Sequence, residues 1–546
     1  MNKTRILGVF AFLAGVLFIP AAYGQFSALY NFGSKTGDPE NPENSGIIAQ
    51  GRDGNLYSTA PYGGANGWGA VFKITSLGTL TTTYSFDGTS GGRPFGGLTL
   101  GTDGNLYGTT FSGGTSNVGT VFKITPSGTP AVLYNFMAGK DGASPYAPPI
   151  QAADGNFYGT ASGGGLGYGT IYKISPSGTF TPLYQFDNAH GSAPYAPLVQ
   201  GTNGNFYGTT LFGGTNDRGV VFKITASGKL TVLYNFDGTH GDEPIGPLVQ
   251  GTDGNLYGTT YAGGTLNGGV VFKITPTGSL TVLHDMSAAT DGVEPFAGLV
   301  QATDGNFYGV NAGGGTNNRG TVFEITPKAS YSVLHSFDDT TGAAPYVTLL
   351  QRTDGLLYGD ASCGGTGTSV NNCGIFGGSG VFFSVNASLP AFVTLIPYSA
   401  KVGKTIEFLG EGFTSSTNVF FNGKLANRTV LSGTYLTATV PDGATTGFVT
   451  LTTSGGTLKS NKIFRVIPQI TSFSPPSGPV GTTVVITGES LKGATSVTFG
   501  GIKAMSFTVN SDMQVTATVP TGAKTGKIVI STPGGTATSS SSFTVT

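Results

Sequence analysis

Short runs of alternating apolar and polar residues, each bounded by Gly, Pro, Asn or Asp, dominate residues 26–385. One such unit, Gln250-Gly-Thr-Asp-Gly-Asn-Leu-Tyr-Gly-Thr-Thr260, predicts a strand, an Asp-Gly-Asn turn and a second strand. Its tyrosine recurs at intervals of 49 to 51 residues, at Tyr57, Tyr107, Tyr158, Tyr207, Tyr257, Tyr308 and Tyr358. A period of this length indicates a repeat architecture.

Each repeat predicts four short strands. In the fifth repeat they cover residues 246–251, 255–260, 270–275 and 280–284, with Gly-rich or Pro-containing turns between them. Four antiparallel strands of this size make one blade of a β-propeller. Collagen is excluded because Gly has no three-residue period. Disorder is excluded because 38% of residues are hydrophobic and 11% aromatic, and the apolar residues alternate.

The count of strands predicts ring closure. A copy of the fourth strand, around Leu29 to Phe32, precedes the first complete hairpin, whereas no fourth strand follows residues 381–385. We therefore expect strand 26–32 to pair with 381–385, which would hide two open sheet edges. The predicted fold of residues 25–388 is a seven-bladed β-propeller with this N-terminal strand in the last blade. A linear β-solenoid is the alternative.

After Leu389 the period ends, and two segments with a shared plan follow at 389–467 and 468–546. Ala438-Thr-Val-Pro441 in the first corresponds to Ala517-Thr-Val-Pro520 in the second. Short strands at regular spacing with such turns predict two small Ig-like β-sandwich domains. The predicted fold class of the whole chain is therefore all-β.

The segment 468–546 resembles an IPT/TIG domain along nearly its whole length, and 389–467 resembles the same family less closely. The repeats are similar to the GloVer tandem repeats of exported bacterial proteins, a family named for its sequence. The pieces Asp253-Gly-Asn-Leu-Tyr257 and Phe272-Lys-Ile-Thr-Pro276 are similar, more distantly, to streptogramin-lyase-like propellers. No equivalent of the lyase's acid and base residues is found, so the resemblance does not imply that activity.

Residues 1–24 have the pattern of a secretory signal peptide, with Lys3 and Arg5 before an apolar run that is short for a membrane span. An uncleaved anchor is the alternative. We expect a secreted or cell-surface protein, with the periplasm as the other compartment, and no membrane span after signal removal. Export favours a disulfide between Cys363 and Cys373 over two free thiols.

Charge and composition exclude some partners and suggest others. The net charge is −1 and only 10% of residues are charged, so the sequence offers no surface that attracts nucleic acid. No cofactor motif, metal-ligand cluster or catalytic motif stands out, and we predict no cofactor, no metal site and no catalytic residue. An extracellular glycan or surface polymer is the expected partner.

Strand direction places the Asp-Gly-Asn turns on one face of each blade and the loops of variable sequence on the other. An aspartate recurring once per turn is interpreted as structural, bonded to its own backbone. Ligand-binding candidates are therefore sought on the variable face, where binding loops are held by a rigid scaffold. They are Trp68, Asp217, Arg218, His240, Asp242, Glu243, Asp291, Glu294 and Arg319.

A proline followed by an aromatic residue also recurs, at Pro94-Phe95, Pro145-Tyr146, Pro194-Tyr195, Pro295-Phe296 and Pro345-Tyr346. These rings either pack blade against blade or stack on sugars. Three functions are compatible with the sequence. The first is an exported, non-enzymatic binding or adhesion-type protein, and the second is an extracellular carbohydrate-active enzyme or lyase that uses loop carboxylates. The third is a purely structural surface protein.

Overall fold

The computed structural model describes residues 25–43, 46–367, 373 and 376–546. The predicted signal peptide lies outside these residues. The described chain is all-β, and none of its residues belong to a helix that could cross a bilayer. Its N-terminal part consists of four-stranded antiparallel sheets in a propeller-like series, one per repeat.

The first strands are β1 (Gln25–Asn31) and β2 (Pro39–Glu40), and β2 pairs with β5 (Tyr62–Gly63). Sheet 1 contains β3 (Ala49–Gln50), β4 (Leu56–Ala60), β6 (Ala70–Ile74) and β7 (Leu80–Ser85). Sheet 2 contains β8 (Thr99–Leu100), β9 (Leu106–Thr110), β10 (Thr120–Ile124) and β11 (Pro130–Asn135). Sheet 3 contains β12 (Ile150–Gln151), β13 (Phe157–Ala161), β14 (Thr170–Ile174) and β15 (Phe180–Gln185).

Sheet 4 contains β16 (Val199–Gln200), β17 (Phe206–Thr210), β18 (Val220–Ile224) and β19 (Leu230–Asn235). Sheet 5 contains β20 (Val249–Gln250), β21 (Leu256–Thr260), β22 (Val270–Ile274) and β23 (Leu280–Asp285). Sheet 6 contains β24 (Val300–Gln301), β25 (Phe307–Asn311), β26 (Thr321–Ile325) and β27 (Tyr331–Ser336). Sheet 7 contains β28 (Leu350–Gln351), β29 (Leu357–Ala361) and β30 (Val381–Asn386), with β1 as its fourth strand.

The predicted pairing of the N-terminal strand with the last repeat is present. β1 runs antiparallel to β30, with Gln25 opposite Asn386 and Asn31 opposite Val381. Phe26 contributes to the packing, because its ring stacks on Phe383 with centroids 5.3 Å apart. The outer edge of β30 is thereby covered, as expected for a strand that would otherwise expose unpaired backbone groups.

Buried apolar residues lie between consecutive sheets. Between sheets 1 and 2, Tyr57 and Phe86 pack with Phe122 in one hydrophobic cluster. Corresponding clusters join each later pair of sheets. A further cluster joins sheet 7 to sheet 1, where Phe72 and Phe382 pack with Phe32, which follows β1. The sheets therefore bury their apolar faces against one another rather than against a separate layer.

The first C-terminal segment, residues 389–467, departs from the predicted two-sheet sandwich. Its strands are β31 (Phe392–Ile396), β32 (Ser399–Ala400), β33 (Thr405–Leu409), β34 (Asn418–Phe421), β35 (Lys424–Ala426), β36 (Arg428–Val430), β37 (Tyr435–Thr439), β38 (Val449–Thr453), β39 (Gly456–Ser460) and β40 (Arg465–Val466). All except β32 and β40 form one eight-stranded sheet. The reason is that β31 pairs at Phe392 with β39 and at Thr394 with β33, which joins the two expected halves.

The second C-terminal segment, residues 468–546, has two separate sheets, as a sandwich requires. The first contains β41 (Gln469–Ser474), β43 (Thr483–Glu489), β46 (Phe507–Ser511) and β47 (Gln514–Thr518). The second contains β42 (Ser477–Gly478), β44 (Ser496–Phe499), β45 (Ile502–Lys503), β48 (Gly526–Thr532) and β49 (Gly535–Val545). Their inner faces share a core that includes Ile486, Phe499 and Phe543.

Candidate functional site on the variable face

The recurrent Asp-Gly-Asn turn is a structural device. In the fifth repeat, Asp253 accepts hydrogen bonds from the Asn255 backbone at 3.1 Å and from the Tyr257 hydroxyl at 2.8 Å. The same tyrosine-to-aspartate bond, 2.7–2.9 Å long, recurs in every repeat that has the aspartate. In the fourth repeat Asn203 replaces the acid, and its amide donates to Tyr207 at 2.8 Å. Each carboxylate thus satisfies the polar end of a buried tyrosine.

Part of this turn face is covered by the first C-terminal segment. The Arg52 guanidinium donates to both carboxylate oxygens of Glu407, at 2.9 and 2.6 Å. The Thr434 hydroxyl donates to the Arg52 carbonyl at 3.0 Å. Bidentate pairs of this kind have both charge and fixed geometry, so they are strong for their size. The first segment is therefore docked on the repeats.

A second arginine strengthens the same contact. Arg352 is 6% exposed, lies 2.9 Å from a Glu411 oxygen, and also donates to the Gly54 carbonyl of the first repeat. Thr353 donates to Glu411 at 2.9 Å as well. Other repeats have small or uncharged residues where Arg52 and Arg352 stand. This departure was the available sequence signal for the docking, and we did not predict it.

The opposite face carries the loops of variable sequence. The loop between the second and third strands of one repeat bonds to the chain that enters the next repeat. The Arg93 backbone N–H donates to the Trp68 carbonyl at 2.8 Å, and Glu243 donates in the same way to Arg218 at 3.2 Å. These contacts place the predicted candidates on one surface, which we call the variable face.

Seven residues on the variable face, one per repeat, immediately precede a proline and have positive φ angles of 48–59°. We call them the bend positions: Asn41, Arg93, Ser144, Ala193, Glu243, Glu294 and Ala344. Positive φ is uncommon outside glycine, so the surrounding contacts must hold this conformation. The backbone conformation is the same at all seven positions, whereas the side chains differ in size and charge. The repeats therefore place different functional groups at equivalent points of the variable face.

The residues immediately after those prolines form an inner ring: Glu43, Phe95, Tyr146, Tyr195, Ile245, Phe296 and Tyr346. Neighbouring aromatic side chains contact one another along two parts of this inner ring. Phe95 stacks on Tyr146 with centroids 5.3 Å apart, and Tyr146 lies 4.1 Å from Tyr195. On the other side, Phe296 lies 4.9 Å from Tyr346. Phe95 is buried, whereas the tyrosines and Phe296 keep part of their rings accessible.

Glu43 was not among the predicted candidates, because the expected pattern was a proline followed by an aromatic residue. Pro42 nevertheless lies against Gly380 as Pro94 lies against Gly69, and Asn41 donates to Ser379 at 2.8 Å. Burial raises the pKa of Glu43 to about 7, partly offset by a hydrogen bond with the Ser362 side chain. The alignment of Pro42 with the other prolines was the signal that could have identified it.

Glu243 and Glu294 come together around Tyr261. The pKa of Tyr261 is raised by burial first and then by the negative charges of Glu294 and Glu243, and Tyr261 hydrogen-bonds Glu294. The pKa of Glu243 is itself raised by burial and by neighbouring Asp242, with Arg218 acting in the opposite direction. These two predicted candidates therefore form one acidic patch beside the inner ring.

The other charged candidates are engaged in local contacts. Arg218 pairs with Asp242, and Arg319 pairs with Asp339. His240 bonds Asp237 at 2.7 Å. Asp291 accepts from His284 at 3.0 Å and from the Ser287 backbone at 3.1 Å, and Asp217 accepts from the Gly213 backbone at 2.9 Å. Arg218 and Asp242 therefore lie near Glu243, whose pKa they shift in opposite directions. Among the described contacts, none joins Arg319, His240, Asp291 or Asp217 to the side chains of Glu243 and Glu294.

Trp68 remains accessible, with 39% of its surface exposed, and its indole lies over Gly88 and Gly92. Tyr168 and Phe212 on other loops of the variable face are exposed to a similar degree. Aromatic side chains bury large apolar areas when covered, so exposed ones on a single face are suited to contact with a ligand. Trp68 is not part of the inner ring, but it lies on the same variable face.

The predicted pair Cys363 and Cys373 forms a disulfide. It belongs to the variable face of sheet 7, where the Ala343 backbone donates to the Cys363 carbonyl at 2.8 Å. The Asn41 amide contacts the Cys373 sulfur at 2.9 Å. The disulfide thus lies beside the bend position that precedes Glu43.

Asp360, in β29 of sheet 7, is an unusual residue type for its position in the repeat. Five other repeats have threonine there, and the Thr109, Thr160 and Thr259 hydroxyls donate to a carbonyl in the next repeat. Asp360 is 1% exposed, and its Oδ2 has no hydrogen-bond partner among the described residues. Burial raises its pKa to about 8. A protonated carboxyl could replace the threonine donor, whereas the ionised form is costly there.

We expect Asp360→Thr to stabilise the protein above pH 8. The pKa of the buried carboxyl exceeds its ordinary value of 3.8, so the folded state retains a proton that the unfolded chain releases. Stability therefore falls as pH rises between these values, by roughly 6 kcal/mol from this group at most. Melting curves from pH 5 to 9 would show a smaller decline in the variant. Val310→Thr, at the same position of sheet 6, should leave the pH dependence unchanged.

Comparison with known proteins identifies the repeats. The Gloeobacter/Verrucomicrobia repeat matches residues 10–166 and 148–376, which together cover most of the chain. The chain belongs to the Gloeobacter/Verrucomicrobia repeat family. An IPT/TIG domain matches residues 468–546, the second C-terminal segment. The residues matched by the repeat family include all of sheets 1 to 6, and the match ends within sheet 7.

Solved structures similar to this member of the Gloeobacter/Verrucomicrobia repeat family include a fungal alcohol oxidase of the AA5 family in complex with copper. It is 15% identical, with a TM-score of 0.47 over 81% of this chain and 99% of that chain. A surface glycan-binding protein from Prevotella bryantii is 20% identical, with a TM-score of 0.22 over 27% and 38%. A luciferin-regenerating enzyme is 10% identical, with a TM-score of 0.36 over 68% and 97%. No curated protein matches the chain.

Proposed function

We propose that this chain is an exported, non-enzymatic binding protein whose variable face holds a glycan or a glycan-like surface polymer. In this proposal residues 25–388 form a closed seven-bladed β-propeller, and residues 389–467 and 468–546 are two IPT/TIG-type domains. The mature protein, without residues 1–24, would act outside the cell or at its surface.

The observation that supports this function most directly is the pair of aromatic runs on the inner ring. Tyr146 and Tyr195 lie on one side, and Phe296 and Tyr346 lie on the other. Aromatic faces stack on the apolar faces of sugar rings, and their hydroxyl groups accept or donate hydrogen bonds at the edge. The opposite face is partly occupied by the first C-terminal segment, through Arg52 and Arg352. The variable face is therefore the surface proposed for a ligand.

A glycan array with the mature full-length protein tests this function. We expect binding to a defined set of glycans, and affinity for the best one should fall about tenfold or more in Tyr146→Ala and in Trp68→Ala. Phe448→Ala is a matched control, because Phe448 is an exposed aromatic residue of the first C-terminal segment. Absence of glycan binding, or equal losses in all three variants, would contradict the proposal.

One observation favours an enzyme as the second candidate. Glu43 is partly buried on the inner ring, and its pKa is raised to about 7, which suits a general acid or base at neutral pH. If the protein cleaves the glycan that it binds, new chain ends should accumulate with time, and Glu43→Gln should stop their formation. If the wild-type protein leaves the glycan uncleaved, the non-enzymatic binding function is favoured over the enzyme.

A further inference from the structure

Glu43 is the charged member of the inner ring. The other six positions are aromatic residues and Ile245. Burial raises the pKa values of Tyr146 and Tyr346, and the negative charge of Glu43 raises both further to a smaller degree. A carboxyl group therefore stands at the meeting point of the two aromatic runs.

No cation in the described part of the chain pairs with Glu43. Its pKa is affected by burial and by the Ser362 hydrogen bond, and by no basic side chain. The nearby arginines of the variable face are engaged elsewhere: Arg218 with Asp242, and Arg319 with Asp339. Arg93 lies over the Tyr62 ring. A partly buried carboxylate without a counter-charge is costly, so a bound cation would be favoured there.

A second acceptor beside Glu43 also lacks a donor. The Asn41 side chain is fully buried and donates through Nδ2 to the Ser362 carbonyl at 3.0 Å, while Ser362 itself hydrogen-bonds Glu43. The Asn41 Oδ1 atom has no hydrogen-bond partner among the described residues. Buried acceptors normally have a partner, so the region next to Glu43 holds an unsatisfied polar atom as well as an unpaired carboxyl group.

The chemistry of these groups is specific. A carboxylate and an amide oxygen both accept hydrogen bonds, and an ammonium group has three donors and a positive charge. Aromatic faces attract cations as well, by about 0.5–2 kcal/mol. A neutral sugar would match the aromatic rings but would not stabilise the ionised form of Glu43. An N-acetylated amino sugar has the same shape near the ring but lacks the charge.

We propose that the inner ring prefers glycans with a free amino group, whose ammonium ion is bound by the Glu43 carboxylate beside Tyr346. This proposal rests on the glycan-binding function and names its substrate class. Tyr146, Tyr195 and Phe296 supply stacking surfaces for the sugar rings, and Glu43 supplies the selectivity between amino and N-acetylamino sugars.

Isothermal titration of the full-length mature protein with glucosamine oligomers and with N-acetylglucosamine oligomers of equal length tests the proposal. We expect the amino form to bind at least tenfold more tightly. Glu43→Gln should remove this preference by weakening the amino form, with the affinity for the N-acetylated form unchanged. Glu43→Asp should retain part of the preference. Glu489→Gln, in the second C-terminal segment, is the matched control and should retain all of it.

The outcomes distinguish the two proposals. Equal affinity of the wild-type protein for the two oligomers, or a preference that survives in Glu43→Gln, would overturn the amino-sugar selectivity and leave glycan binding intact. Binding of neither oligomer together with binding of other glycans on the array would also overturn the selectivity alone. Binding of no glycan at all would overturn both.

Discussion

Deletion of residues 25–31, which form β1, is expected to lower the melting temperature by about 10–20 °C and to cause aggregation. The loss would leave β30 as an open edge, with its backbone groups unpaired along the positions from Val381 to Asn386. It would also uncover the core between sheets 6 and 7, because Phe26 packs on Phe383 and stacks on His335 with centroids 3.8 Å apart. Thermal melting and size-exclusion chromatography with light scattering measure both effects.

The matched control removes a larger piece that does not belong to the repeats. A chain without residues 468–546 should melt close to the wild-type temperature in the transition of the repeats and should remain monodisperse. An unchanged melting temperature after the deletion of β1 would show that the pairing with β30 does not stabilise the repeats.

The double substitution Arg52→Ala and Arg352→Ala is expected to release the first C-terminal segment from the turn face. Arg352 is nearly inaccessible, and its removal would leave the partly buried Glu411 without its cation. Breaking a fully buried pair costs about 3–5 kcal/mol, and this pair should cost less because Glu411 is partly exposed to solvent. The loss of the Arg52 pair with Glu407 would add to this cost. Small-angle X-ray scattering should show a larger radius of gyration and a more extended particle.

Arg93→Ala is the control for this release, because it removes one arginine from the variable face, where Arg93 is exposed. The control should scatter like the wild-type protein. The double variant should still bind the glycan selected on the array, because the contact it breaks lies on the opposite face. A radius of gyration equal to that of the wild type would indicate that other contacts, such as Arg465 with the Thr202 carbonyl at 3.1 Å, are sufficient for docking.

Much of the repeat region could be predicted because its signals are local. The alternation of apolar residues determines a strand, and the Asp-Gly-Asn sequence determines a tight turn, whatever surrounds them. Counting strands was enough to predict the pairing of β1 with β30. The structural role of Asp253 followed from its place in a turn, and the observed bonds to Asn255 and Tyr257 agree with it.

The candidate site was predicted less well, because charge in a loop does not indicate which partner lies nearby. Arg218 and Asp242 lie 24 residues apart on loops of consecutive repeats and pair in the fold, so neither is a free charge. Glu43 was overlooked because it departs from the aromatic pattern that five of its six counterparts share. Its importance depends on Tyr346 and Ser362, which lie more than 300 residues away in the chain.

The sequence by itself determined the all-β class, the repeat, the strand order within each sheet and the existence of two distinct faces, since these follow from periodicity and turn chemistry along short stretches. Only the tertiary structure decided that Arg52 and Arg352 hold the first C-terminal segment on the turn face, and that this segment forms one continuous sheet through β31. It also decided which carboxyl groups lack a cation. Such properties depend on distances between residues remote in sequence, and burial, which controls their energies, is absent from any local pattern.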